Sequence, residues 1–255
     1  MSHYEKGLNL VRSSGLSHLK RSPAHFKTWV EKPEEDTADM AFGRAFHCYL
    51  LEPEVFDEQY IVRPDFGDMR YKDNKAAYAA WKATAGEREE VVDFEKIQAM
   101  ANAVHAHSRG SRLVRGGYAE QKIKVPLGAL TQVIQPDYVL ASKGIILDVK
   151  KTGMGALAHE VERSVANWGY LMQATHYLSV MKEHAGGDWR FLLMFVEDEA
   201  PHGIFIGELD PEDLAWCEEQ RVTLMDKQAQ CVESGEWPCY DESIHRITLP
   251  AWARR

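Results

Sequence analysis

Apolar positions along the first 110 residues recur at helical spacing. In T-A-D-M-A-F-G-R-A-F-H-C-Y-L-L the residues Met40, Ala41, Phe42, Ala45, Phe46, Tyr49 and Leu50 follow a 3.6-residue period. Thr37 is a candidate N-cap for that helix, and Glu52-Pro53 ends or kinks it. Before it, Ser14 or Ser17 is predicted to cap a short helix running to Arg21. Ser22-Pro23 opens another as cap and first helical residue, and a charged loop K-P-E-E-D follows. D-N-K-A-A-Y-A-A-W-K-A-T-A-G favours helix and stops at Gly86. D-F-E-K-I-Q-A-M-A-N-A-V-H-A-H is amphipathic and is predicted to close at Arg109-Gly110.

The period then shortens to two. In Y-A-E-Q-K-I-K-V-P-L the residues Tyr118, Glu120, Lys122 and Lys124 fall on one side; L-T-Q-V-I-Q-P-D-Y-V-L and G-I-I-L-D-V-K follow, with turns at Gly128 and Lys143-Gly144. Three consecutive strands with short connections predict an antiparallel meander. Two helices come next, H-E-V-E-R-S-V-A and W-G-Y-L-M-Q-A-T-H-Y-L-S-V-M-K. Strands R-F-L-L-M-F-V-E and G-I-F-I-G-E-L follow, then a helix opening on Asp210-Pro211. The expectation is one α/β domain over 1–255: a mainly helical part at 1–110, a core at 117–210, and a C-terminal helix and tail at 211–255.

Composition narrows the class. With 255 residues, 45% hydrophobic and 27% charged, the chain is ordinary for a globular protein. No run approaches ~20 apolar residues, which excludes a membrane-spanning helix, and M-S-H-Y-E-K-G-L-N-L lacks a signal-peptide core. Cys48, Cys217, Cys231 and Cys239 form neither a disulfide framework nor close C-x-x-C pairs, so reduced thiols in a cytoplasm are expected. The net charge of -9 argues against coating nucleic acid by electrostatics alone. It leaves room for a nuclease, which needs carboxylates for metal and can confine its basic residues to one groove.

The chemistry concentrates in G-I-I-L-D-V-K-K-T-G. Residues i and i+2 of a strand share a face, so Asp148 and Lys150 point into one region, as a surface ion pair or as part of an active site. Asp137 lies eleven residues earlier in Q-P-D-Y, on the neighbouring strand, and Glu120 on the strand before. Three converging carboxylates repel unless a cation lies between them, and oxygen donors suit magnesium. Lys150 beside such an ion can orient an attacking water and offset phosphate charge.

Pro136-Asp137 followed by Asp148-Val149-Lys150 resembles the motif of the PD-(D/E)xK nuclease superfamily. Gly43 and His47 in G-R-A-F-H lie upstream. Gln173 and Tyr177 in Q-A-T-H-Y lie downstream, four apart on one helix face. That order resembles the branch holding RecB-type nuclease domains, lambda exonuclease and RecE. Over nearly the whole chain, S-P-A-H-F, G-R-A-F-H-C-Y-L-L-E-P-E-V-F, S-G-E-W-P-C-Y and L-P-A-W-A resemble the RecE (exonuclease VIII) type and its phage relatives. The resemblance implies a PD-(D/E)xK core, with a central mixed sheet flanked by helices. The implied activity is a magnesium-dependent exonuclease, with manganese able to substitute. It would act from the 5′ end of linear duplex DNA in a bacterial host and leave a 3′ tail for a RecT-like annealing protein.

The same resemblance implies site roles. His47, Glu120, Asp137 and Asp148, with the Val149 carbonyl, would hold one or two metal ions. Lys150 would position or help deprotonate the nucleophilic water, while Gln173 and Tyr177 would order the site and the scissile phosphate. Relatives form closed rings, and a closed channel would let an acidic protein thread DNA with few basic residues. Arg44, Arg109, Arg112 and Arg115, or Lys20, Arg21 and Lys27, are candidates for contacting DNA.

Some features depart from that pattern. Gln135 stands where many relatives carry a basic residue, and the doubled Lys150-Lys151 leaves alternation to choose Lys150 as the inward amine. The cysteine spacing is too open for an iron–sulfur cluster, so none is expected. His105 and His107 on a helix diverge by about 200° and do not form a metal pair. The competing readings are a superfamily nuclease acting on single strands or flaps and a non-catalytic DNA-end-binding protein.

Overall fold

In the computed structural model, which describes residues 5–33 and 36–254, the helical N-terminal third has helices α1 (Ser13–Arg21), α2 (Pro23–Glu31), α3 (Ala38–Leu51), α4 (Pro53–Gln59), α5 (Lys72–Ala85), α6 (Phe94–Ala106) and the short α7 (Gly110–Leu113). Ser22 and Thr37 cap α2 and α3 as predicted, their side chains accepting from the His25 and Met40 amides. Helix α1 starts earlier than expected. Its N-cap is Arg12, without a side-chain cap bond, so neither Ser14 nor Ser17 has that role. Helix α6 ends at Ala106 rather than at Arg109-Gly110, because His107 leaves the helical region and its Nδ1 accepts from the Gly110 amide at 3.0 Å. Glu34 and Glu35 of K-P-E-E-D lie outside the described residues. No described helix is long and apolar enough to cross a membrane.

The strands form three sheets among the described residues. Strands β2 (Tyr60–Val62) and β3 (Glu89–Val91) make a small parallel pair. The expected three-strand meander is broken in two. Strands β5 (Ile123–Leu127) and β6 (Leu130–Ile134) pair in one sheet with β1 (Leu10–Val11), while β4 (Tyr118–Ala119) and β7 (Tyr138–Leu140) pair in the main sheet. Both long strands break at their middles. Glu120 takes the left-handed conformation, φ 49°, and the other strand leaves the ladder at Gln135-Pro136-Asp137, where proline has no amide to donate. Glu120 therefore leaves the side that Lys122 and Lys124 share, where both meet Glu5.

The main sheet has the order β10-β9-β8-β7-β4, using β8 (Ile145–Thr152), β9 (Arg190–Glu197) and β10 (Ile204–Glu208). It is mixed: β8 and β9 are parallel, joined through α8 (Ala158–Trp168) and α9 (Tyr170–Ala185), and the other pairs are antiparallel. Alternation along β8 assigns its side chains. Ile145, Leu147 and Val149 pack toward α3 and α6, and Ile146 packs with Ala174, Val180 and Met181 of α9. Helix α10 (Pro211–Ser234), capped by Asp210, packs with α1 and α2 in a third cluster through Leu16, Leu19, Phe26 and Leu224.

Ile146 is fully buried at the centre of this sheet. Ile146→Ala is expected to lower unfolding free energy by about 2–5 kcal/mol, through lost transfer and a residual cavity. Urea titration of the metal-free protein checks this; a loss below about 1 kcal/mol would show that the sheet centre collapses around the deletion.

Candidate active site

The two strand breaks and the middle of β8 meet at one place. Glu120 follows β4 and Asp137 precedes β7, and the Glu120 amide donates to the Asp137 carbonyl at 3.3 Å. Helix α3 brings His47 over the same point, with Nδ1 3.7 Å from Asp137 Oδ1. One ligand atom from each of His47, Glu120 and Asp137 lies within 4.8 Å of the others. The Val149 amide donates to Asp137 Oδ2 at 2.7 Å, fixing that carboxylate against β8.

Asp148 stands beside this cluster and outside it. Its Oδ1 accepts from Gln173 Nε2 at 2.7 Å and its Oδ2 lies 2.7 Å from Lys150 Nζ. Asp148 is 1% exposed, so this is a buried pair rather than a surface ion pair. Lys151 turns to the opposite face, 2.6 Å from Asp39 and 3.3 Å from Asp198. Tyr177 does not reach the carboxylates. Its hydroxyl donates to the Gln135 carbonyl at 3.1 Å, and Gln135 in turn donates from Nε2 to Glu120 Oε2 at 3.0 Å. Gln135, out of pattern in the sequence, is therefore the residue that orients Glu120.

Tyr170 was not singled out from sequence. Its ring lies 5.0 Å from the Lys150 ammonium, a cation–π distance, and it also tilts against Phe195. The spacing carried a signal: Tyr170, Gln173 and Tyr177 are at i, i+3 and i+7, one face of α9. That face serves Lys150, Asp148 and Gln135 in succession.

The basic candidates are dispersed. Arg44 is held by Asp36 at 2.6 Å and Glu89 at 3.1 Å. Arg109, Arg112 and Arg115 are exposed around α7, just ahead of β4, and form no ion pair among the described residues. Arg21 donates to the Tyr240 hydroxyl, and Lys27 lies 3.8 Å from Glu31. Lys20 lines a different groove, beside α8 and α10. Among the cysteines, Cys48, Cys217 and Cys231 are buried and free, and Cys239 is exposed.

The electrostatics favour a cation at the cluster. Burial, reinforced by the Asp137 charge, pushes Glu120 up to about 8, against the pull of the Gln135 hydrogen bond. Burial also raises Asp148 to about 7, although Lys150 pulls it down. Burial works against the Lys150 charge as well, yet Asp148 and Asp137 outweigh it and hold the ammonium above the usual lysine range. Without a metal, Lys150 is thus held as a positive charge beside the carboxylates. Oxygen donors flanking one imidazole, crowded until they take up protons, fit a divalent metal; His47, Glu120 and Asp137 would hold it, with Asp148 adjacent.

A family profile described as a PDDEXK-like domain of unknown function (DUF3799) matches residues 12–249. The chain belongs to that family. Similar solved structures include a candidate exonuclease from Eubacterium rectale, with 12% identity, 97% of this chain and 93% of that one covered, and a TM-score of 0.62. A phage-related exonuclease from Haemophilus somnus 129PT shows 15% identity, coverage of 90% and 99%, and a TM-score of 0.41. An alkaline exonuclease (LHK-Exo) from Laribacter hongkongensis shows 12% identity, coverage of 75% and 95%, and a TM-score of 0.33. Of these three superpositions, the first alone shows a shared fold. No curated protein matches the sequence. Family membership, a mixed sheet flanked by helices and an assembled Pro136-Asp137, Asp148-Val149-Lys150 set make this protein a PD-(D/E)xK nuclease, a superfamily that is in general divalent-metal dependent.

The raised acids make a pH prediction for the metal-free protein. Between the unfolded carboxyl values near 4 and the folded values of about 7 and about 8, the folded state binds more protons. This stabilisation is complete at low pH and is lost as pH rises through that window. Glu120→Gln is expected to flatten the decline in melting temperature between pH 5 and pH 8. An unchanged decline in the variant would mean that Glu120 is ionised throughout.

Proposed function

We propose that the protein is a magnesium-dependent exonuclease that degrades one strand of linear duplex DNA from its 5′ end. It would leave a 3′ single-stranded tail suited to a RecT-like annealing protein in a bacterial cytoplasm, as in RecE-type phage recombination. The observation that carries the nuclease chemistry is the convergence of His47, Glu120 and Asp137 beside the buried Asp148–Lys150 pair.

A divalent cation bound there would supply Lewis-acid stabilisation of phosphoryl charge and a more acidic water. Asp137, fixed by the Val149 amide, and Glu120, fixed by Gln135, present oxygens that need no reorganisation on binding. Lys150, kept protonated by Asp148 and braced by Tyr170, is placed to donate to the attacking water or to a phosphoryl oxygen. Gln173 holds Asp148 from the other side.

A cavity of about 240 Å³ supports the 5′ polarity. It is lined by Arg12, Ser13, Ser14, Ser17, Trp168 and Gln173, at the N-terminus of α1. Guanidinium, hydroxyls and helix amides are phosphate-binding groups. Gln173 lines the cavity and also donates to Asp148, so the cavity and the acidic site share a residue. The net charge of -9 favours a closed ring of copies around the duplex, in which topology rather than charge prevents escape.

With labelled 5′-phosphorylated linear duplex, digestion is expected to need magnesium or manganese and to spare circular DNA. It should fall at least tenfold on a 5′-hydroxyl end. Faster cleavage of single strands or flaps would favour that alternative substrate class. Lys150→Ala is expected to reduce kcat by roughly 10²–10³-fold with manganese affinity, read by calorimetry, preserved. An unchanged kcat would move the water-orienting role elsewhere.

A further inference from the structure

Two unfilled surfaces of this molecule match each other. One is the C-terminal segment. Its start is anchored on α1 and α2: Trp237 stacks on Phe26 at 5.6 Å, the Ala24 amide donates to the Pro238 carbonyl, and Arg21 donates to the Tyr240 hydroxyl at 3.2 Å. Beyond that anchor, large apolar side chains among the described residues are exposed. Ile244 is 102% exposed, Ile247 91%, Leu249 59% and Trp252 76%. Four large hydrophobic side chains within nine residues are costly to leave in water.

The other surface is a groove of about 770 Å³ on the α8 side of the main sheet, beside β10. Val161, Val165, Phe205, Leu209 and Trp216 give it apolar walls. Strand β10 is the edge of the sheet and pairs only with β9 among the described residues, so one side of its backbone is open. The charges match as well. Glu162, Asp210 and Asp213 line the groove without an ion pair among the described residues, with Lys20 the opposing charge. Residues 244–252 contain Arg246 and no acid. In extended form Ile247 and Leu249 fall on one side, β-branched Ile244 and Thr248 suit a strand, and Pro250 ends it.

We propose that residues 244–252 of one copy of this chain dock in the β10 groove of a second copy. The contact is heterologous, tail of one copy to groove of the next, and such contacts close into rings when the rotation allows. The proposal deepens the ring reading above by naming its contact; it is independent of the chemistry at the carboxylates.

The test is the mass in solution by light scattering, without DNA or metal, so that failure of the nuclease reading leaves it unchanged. The full chain is expected to be oligomeric at micromolar concentration. The tail variant Ile247→Asp/Trp252→Ala and the groove variant Trp216→Ala/Asp213→Lys alter exposed positions and should fold, yet each should be monomeric. Mixing the two variants should give a dimer and nothing larger, because one supplies the intact groove and the other the intact tail. A monomeric parent, variants of unchanged mass, or a mixture that stays monomeric would each overturn the proposal, the last pointing to a tail that docks on its own chain.

Discussion

The central constraint is the confinement of like charges where little water can screen them. Glu120, Asp137 and Asp148 are brought together by a sheet whose core is apolar on both faces, and the ammonium of Lys150 offsets only part of their repulsion. Three nearby polar groups each hold one carboxylate still. The Val149 amide holds Asp137, Gln135 holds Glu120 and Gln173 holds Asp148. The remaining deficit of positive charge is what makes the cluster a candidate cation site.

The rest of the fold serves that placement. The main sheet presents β8 with one face to α3 and α6 and the other to α9, so His47 and Gln173 approach from opposite sides. Lys151 ties β8 to Asp39 at the start of α3 and to Asp198 after β9, fixing the helix that carries His47. One face of α9 braces Lys150, Asp148 and Gln135 through Tyr170, Gln173 and Tyr177. A rigid scaffold of this kind lets a site work without reorganising.

The same logic separates the interior from the outer surfaces. Inside, apolar side chains are buried and most polar groups are paired. The β10 groove and the C-terminal segment are different, because each lacks within one copy the cover that its composition calls for.

Much of this was legible in the chain itself. The Ser22 and Thr37 caps, the period of α3, the alternation that turns Asp148 and Lys150 to one side, and Asp210-Pro211 opening α10 are local signals, set by backbone chemistry within a few residues. The breaks at Glu120 and at Gln135-Pro136-Asp137 were not, and they decide the site. Pairing of β5 and β6 with distant β1 draws half of each strand into another sheet, a competition between partners far apart in sequence that no local period records. The roles of Gln135, Tyr170 and Tyr177 depend in the same way on how α9 lies across β8. Sequence determined which residues could do the chemistry; tertiary packing decided which of them touch, because contact distances come from long-range burial and not from spacing along the chain.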